Sequence, residues 1–460
     1  MAQDPFAEYG KPSGLSNFVG IRLENVLLKH YKGARLVEQA NVDQIDVDHE
    51  RNTLQLLGIR SGWTQTANGK VLFSAGQAYY NDISRMVAVS NGAHVTGPAY
   101  DLHVNAFQID AKSHLLQVNG TVQGRLADGT ITGADLAYNL SNGDFTVGQP
   151  SWTGFVVGGP DQGSKSSDED TDEKTQWHIF TKGTVSSRGD IETFPKATAN
   201  TTNGDTIVKA DMVVRNRETD VITATGNVEY FSKQVNLTCD QAVVYRKNKH
   251  AVFTGTVHCY FKADDEQKKP VTEVVIPPFR PMVPDDIAAS RPAAPATSDQ
   301  TDEVRNTDNA RKYPVTAKAD KIEYWYTKGS RHAVITGDPQ ARQDFPSGGW
   351  RHLWSDEGYY DGEAETLLLK GPVDKQATRV INSAGDDIKC DSIKIWTNSN
   401  DKNHYDADNV DMLEAPESSS SSTPAPAAVQ HGKPGRTPPP ATTTPGQSQP
   451  APLPGTHFGA

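Results

Sequence analysis

The residues that could carry chemistry return at regular intervals. Asp211, Asp240, Asp320, Asp356 and Asp391 each follow a small residue (Ala210, Cys239, Ala319, Ser355, Cys390) and precede an apolar stripe. Repeated carboxylates of this kind suggest calcium ligands or acid–base catalysts. Their constant place at the start of a strand points instead to a turn or edge role. The 13 histidines do not fall at metal-ligand spacings, and no GxSxG, HExxH or phosphate loop is present. The chain therefore reads as a non-enzyme, with no cofactor and no metal expected. Cys239, Cys259 and Cys390 contain no CxxC, and the expected register does not set Cys239 opposite Cys259, so free, half-buried thiols are expected.

The elements that hold these residues are repeated strand–turn–strand units, about nine in all. The sharpest runs from Cys239-Asp240 through Ala251-Val252-Phe253-Thr254 to Gly255 and Val257, and its nearest relative from Ala319-Asp320 to Gly337. Further copies open at Ala40, Ala75, Asn105, Gly133, Ala210, Ser355 and Cys390. Their matching glycines are Gly58, Gly92, Gly120, Gly148, Gly226 and Gly371, with Asp408-Asn409 standing in for the last. Between the paired strands lie short polar turns: 48–52, 110–114, 216–220, 246–249 and 398–402. They are rich in Asn, Asp and Ser, whose side chains bond turn backbone. None leaves room for a crossover helix, so the fold class is all-β and antiparallel. The recurrent Gly is expected to mark a bulge or a close strand contact.

Alternation assigns the inward face. It carries Leu54, Leu56, Leu116, Val118, Ile222, Ala224, Ala251, Phe253, Val257, Ala333, Ile335, Leu367 and Leu369 from return strands. From outgoing strands it carries Ala242, Val244, Ile322, Tyr324, Ile393 and Ile395. Gln241, Lys321, Glu323, Ser392 and Lys394 lie on the other face. Each unit is thus a tile with one apolar side, and side-by-side tiles make a sheet that must fold over to cover it. With strands of ~7 residues at ~3.3 Å each, a narrow sandwich is expected.

Composition sets the remaining bounds. A hydrophobic content of 36% suits sheets apolar on one face together with unstructured segments. The net charge of −12 argues against nucleic acid and against attraction to anionic lipid surfaces. No apolar run approaches the ~18–20 residues needed to span a bilayer. The expected divisions are a polar lead-in (1–15), a first hairpin block (16–157), an acidic disordered insertion (158–176), and a second block (177–263). A Pro-rich disordered linker (264–312), a third block (313–413) and a disordered Pro/Ser/Thr-rich tail (414–460) follow. Met1-Ala-Gln-Asp-Pro5 has neither basic stretch nor apolar core, so a signal peptide is expected to be absent from this sequence or already removed.

The pattern Ala-Asp-x-apolar-x-Tyr…Ala-Val-x-Thr-Gly-x-Val resembles the OstA-like repeat of the lipopolysaccharide-transport proteins LptA, LptC and the periplasmic part of LptD. The resemblance is closest at 210–257 and 319–339 and looser at 355–373 and 390–410. The block Gly20–Val37 with Ala40–Asp43 and Leu54–Ile59 resembles LptC. This resemblance implies a V-shaped antiparallel β-jellyroll, open along one seam, in which lipid A acyl chains ride while the phosphorylated sugar stays in water. The named inward residues would line that groove. The family further implies a periplasmic place, lipopolysaccharide as cargo, and other Lpt-type jellyrolls, or copies of the same chain end to end, joined through edge strands. Two departures from the family are expected in this sequence: no transmembrane helix like that of membrane-anchored LptC, and a fusion of more than one short jellyroll. Arg22, Lys29, His30, Lys32 and Arg35 form a basic cluster that reads as a solvated face, with lipid phosphates as the alternative contact. The rival function is a structural or adhesive cell-envelope scaffold without lipid cargo. A groove needs small residues facing large ones, and the alternation of Gly and Ala with Phe, Tyr and Ile on the inward face favours it.

Overall fold

A computed structural model describes residues 20–48, 50–66, 69–97, 100–126, 129–156, 175–279, 298–305, 312–327, 329–372, 375–396 and 405–413. Among them the architecture is one antiparallel sheet of 28 strands. The α-helical segments are Asp264–Gln267 and Ser298–Arg305. The expectation of an all-β antiparallel protein holds. The chain meanders: each long strand pairs with the strands before and after it. Thus Val221–Ser232 pairs with Val235–Tyr245, which pairs with His250–Phe261.

Asp356 and Asp391 stand just before the strands Glu357–Asp361 and Ser392–Trp396, as expected, but Asp211, Asp240 and Asp320 lie inside longer strands and correct the expected strand lengths. Asp240 does not open a strand but sits inside Val235–Tyr245, and Gly255 sits inside His250–Phe261. The register breaks between Thr238/Gln241 and their partners His258/Thr254, which is a β-bulge in mid-strand. The same break recurs at Lys209/Met212, Thr225/Val228, Ile59/Gly62 and Val118/Thr121. Strands of 11 to 14 residues are therefore bent in the middle, and what reads in the sequence as a hairpin joins two half-strands. At each break the backbone turns left-handed, as at Gly58 (φ 64°), Gly226 (φ 74°), Gly255 (φ 73°) and Gly337 (φ 81°), where only glycine is free of strain. The Asp explains the residue choice a second time. A Cβ built on any of these four glycines would run into the side chain of Asp43, Asp211, Asp240 or Asp320.

The polar turns behave as their residues dictate. Asp48 Oδ1 accepts from the backbone N–H of Glu50 and Arg51, Asp110 Oδ1 from Lys112, and Asn216 Oδ1 from Thr219, at 2.9–3.1 Å. The turn 398–402 lies outside the described residues.

Bending the long strands at one line, with shorter strands breaking there instead, yields two walls whose apolar faces meet. Leu237, Cys239, Val257 and Cys259 on one side of the bulges pack in one cluster with Ala224, Ala242, Phe253 and Ile322 on the other. A first-block cluster joins Ala40, Val42 and Val122 to Ile45, Ala78, Val89 and Val118. A third, at the far end, centres on Leu369, Cys390 and Ile393.

Both inserted segments occupy hairpin connections. Phe145–Val156 pairs directly with Thr175–Thr181, and His250–Phe261 directly with Val315–Trp325, so pairing is continuous across the acidic insertion and the Pro-rich segment. Residues 157–174, the lead-in and the tail lie outside the described residues. The Pro-rich segment, expected to be disordered, packs where it is described. Val271, Phe279 and Val304 are buried, and Arg305 forms a bidentate pair with Asp386 at 2.6 and 2.8 Å. Phe279 packs on His352, and Val304 lies where a Cβ on Gly349 would fall, so the segment's apolar residues are buried against this part of the sheet. His352 is fully buried, stacked on Trp354 (4.1 Å) with Phe279 edge-on (5.6 Å), and neither ring nitrogen has a hydrogen-bond partner.

Two stability predictions result. Gly255→Ala should cost about 2 kcal/mol or more in urea unfolding, from left-handed strain plus the Asp240 contact. Gly92→Ala (φ 82°, with nothing within 4 Å of the added Cβ) should cost only about 1 kcal/mol of strain. Equal losses would contradict the role given to Asp240. Burial lowers the His352 imidazole to about 3. The unfolded histidine takes a proton below about 6.5 while the folded one stays neutral, so this contribution is present above that pH and is lost as pH falls towards 3. Between pH 7 and 4.5, His352→Phe should lose about 1–2 kcal/mol less stability than the parent chain in paired urea titrations.

Candidate ligand-binding face

The inward residues named from the sequence fall into cross-strand rows. Next to the bulges, Ala224 lies opposite Ala242, Ala242 opposite Phe253, Phe253 opposite Ile322 and Ile322 opposite Ile335, with Leu369 opposite Ile393 further on. One step nearer the turns, Ile222, Val244, Ala251, Tyr324 and Ala333 are successive partners, with Leu367 opposite Ile395. Leu54, Leu56, Leu116 and Val118 occupy the equivalent wall of the first block. Of these residues Val118, Ala224, Ala242, Ala251, Val257, Ala333, Leu369 and Ile393 are buried, and the others are half-buried. The packed clusters unite Ala224, Ala242, Phe253, Val257 and Ile322, and separately Leu367, Leu369, Ile393 and Ile395. They do not include Ile222, Val244, Ala251, Tyr324, Ala333 or Ile335.

Small residues meet large ones in register. Ala242 faces Phe253, and Tyr324 stands between Ala251 and Ala333. Gly358 lies between Ile335 and Leu369, where an added Cβ would come within 3.2–3.3 Å of both side chains. Such pairing leaves room beside each ring instead of a uniformly filled layer.

Most of the opposite wall was not picked out from the sequence. It carries Val208, Tyr230, Leu237, Cys259, Ala317, Ala341, Leu353, Val380 and Ile388 as successive partners. The signal was available but hidden by the bulge. In outgoing strands the inward parity switches across the Asp, from Leu237 and Cys239 to Ala242 and Val244. In return strands it runs unbroken from Ala251 through Gly255 to Cys259.

The wall nearer the turns is not apolar throughout. At its centre Ser187 lies opposite Glu192, Glu192 opposite Arg215 and Arg215 opposite Ile222. Glu192 stands 3.7 Å from Arg215 and 3.8 Å from Arg217, and Asp220 lies 3.6 Å from Arg215 and 3.1 Å from Arg246. The other wall stays apolar past this band, through Ile179, Ala199 and Val208.

The basic cluster is partly paired off. The Arg22 guanidinium donates to both oxygens of Asp46, and His30 lies 3.6 Å from Glu38. Among the described residues the first strand, Gly20–Lys32, pairs on one edge only, and it exposes Ile21, Leu23, Leu27, Leu28 and Tyr31. The three cysteines are free and buried, and Cys259 lies opposite Leu237 rather than Cys239. Burial pushes the Cys239 and Cys259 thiols up to about 12 and Cys390 up to about 11, which leaves them without thiolate character near neutrality. A thiol-specific chromogenic reagent should therefore leave all three unlabelled in the native chain and label all three in denaturant. Rapid native labelling would contradict the packed wall.

Residues 207–401 match the family described as "LptA/(LptD N-terminal domain) LPS transport protein". The match begins in the strand Thr206–Asn216 and does not extend over the first block. No curated protein matches. Among solved structures, LptH from Pseudomonas aeruginosa, the LptA-homologous periplasmic component of a lipopolysaccharide transport device, aligns at 12% identity. It does so over 40% of this chain and 95% of its own length, with a TM-score of 0.24. The similarity to the LptA/LptD amino-terminal family is thus confined to residues 207–401, less than half of the chain.

Proposed function

We propose that the chain takes part in lipopolysaccharide transport, and that its two facing apolar walls shield lipid A acyl chains between the inner and outer membranes. The observation that carries this reading is the unbroken apolar row from Val208 to Ile388, faced by a wall in which small and large residues alternate. Each CH₂ held out of water is worth ~0.8 kcal/mol, so a many-chained lipid needs such a continuous surface to cross an aqueous gap. Acyl chains supply the affinity, so an acidic chain can carry an anionic lipid. The edge strand Gly20–Lys32, with its exposed apolar residues, offers a neighbouring Lpt-type jellyroll or a second copy a strand to extend. A periplasmic place follows from that role. The rival, a scaffold whose inner face is only a core, draws on the full burial of Ala251 and Val257.

A photo-crosslinking residue placed at Phe253 or Ile335 should yield lipopolysaccharide adducts, and one at outward-facing Gln241 or Lys394 should not. Equal or absent labelling at the two sets would overturn the reading. Ile393→Asp should abolish lipid binding while preserving the β-sheet circular dichroism spectrum, whereas gross unfolding would favour the closed core of a scaffold.

A further inference from the structure

We propose that His94, Asp101 and His103, on the outer face of the first block, form a site for one divalent transition-metal ion, with zinc as the ion they suit best. His94 lies on Met86–Gly97 and His103 on the next strand, Tyr100–Val104, directly opposite it. Asp101 is two residues before His103 and so lies on the same face. Nε2 of His94 contacts Asp101 Oδ1, and Nε2 of His103 is 3.9 Å from that same oxygen. One ligand atom from each of the three residues lies within 4.8 Å of the other two. Both imidazoles thus turn the same nitrogen towards one carboxylate, their rings stacked at 4.0 Å and 10°.

A simple surface ion pair does not account for the second imidazole. One carboxylate oxygen satisfies one histidine, and His103 gains little from a 3.9 Å contact. Two neutral imidazoles and a carboxylate make an N₂O donor set, which suits zinc at about 2.0–2.2 Å per bond with a fourth position left for water. To reach those distances the two rings must rotate out of their parallel stack, so that both nitrogens turn towards one ion. Thr96 Oγ1, 3.2 Å from His94 Nε2, supplies a hydroxyl beside the cluster. His94 and His103 also line an open cleft of about 650 Å³ along the bulge line, together with Ser74, Gly92 and Gln123. The cleft leaves the cluster accessible to a hydrated ion. Arg125, directly opposite Asp101, is the nearby charge that a metal would have to tolerate.

The test is zinc titration of the full chain after chelator treatment, by calorimetry, with cobalt absorption as an independent report on geometry. The parent chain should bind one zinc per chain at this site. His94→Ala and His103→Ala should each weaken binding about tenfold or more with an unchanged circular dichroism spectrum, and Arg125→Ala should tighten it. Failure of the parent chain to bind zinc would overturn the proposal. So would equal zinc binding by the His94→Ala/His103→Ala double variant, which would place the metal elsewhere. Neither outcome bears on lipid binding.

Discussion

The structure depends on one repeated contact, an Asp side chain set against a glycine in left-handed conformation in the middle of two paired strands. At Asp43–Gly58, Asp211–Gly226, Asp240–Gly255 and Asp320–Gly337 the carboxylate occupies the space a Cβ would need. The extra residue of the bulge bends both strands there. One such bulge would be a local kink. A row of them in register bends the long strands along a common line, and a single sheet becomes two walls that face each other.

That bend explains how so polar a chain can build an apolar interior. Each half-strand offers one apolar face, and the bend turns both faces inward, so apolar residues are needed only at alternate positions. The outer face can then hold His94, Asp101 and His103 in the first block and accept Phe279 of the Pro-rich segment against His352 near the other end. Long insertions fit at hairpin connections because the flanking strands pair without them. The loop-closure cost of a longer connection rises only slowly with its length.

Fold class was legible in the sequence because alternation and turn chemistry act locally. Asp48, Asp110 and Asn216 bond their turns as their residue types require. The inward residues of the wall nearer the turns were legible for the same reason, since parity holds within a half-strand. Strand length was not. Asp240 and Gly255 have the composition of strand ends, and only the register with neighbouring strands reveals them as mid-strand bulges. The opposite wall was mostly missed because the bulge switches parity at Asp240, so Leu237 reads as outward if Ala242 is inward. The charged band of Glu192 and Arg215 and the His94–His103 pair join residues from different strands, which spacing along the chain cannot display. The burial of Val271 and Phe279 was hidden by a segment composition that suits disorder.

The central claim is that the two walls take up acyl chains rather than merely closing on each other. It is tested most directly by equilibrium binding of the purified full chain to lipopolysaccharide in competition with the same molecule stripped of its acyl chains. The account predicts saturable binding of the intact lipid and no competition from the deacylated carbohydrate at many-fold excess. Equal competition by the deacylated form, or no binding of the intact lipid, would contradict it.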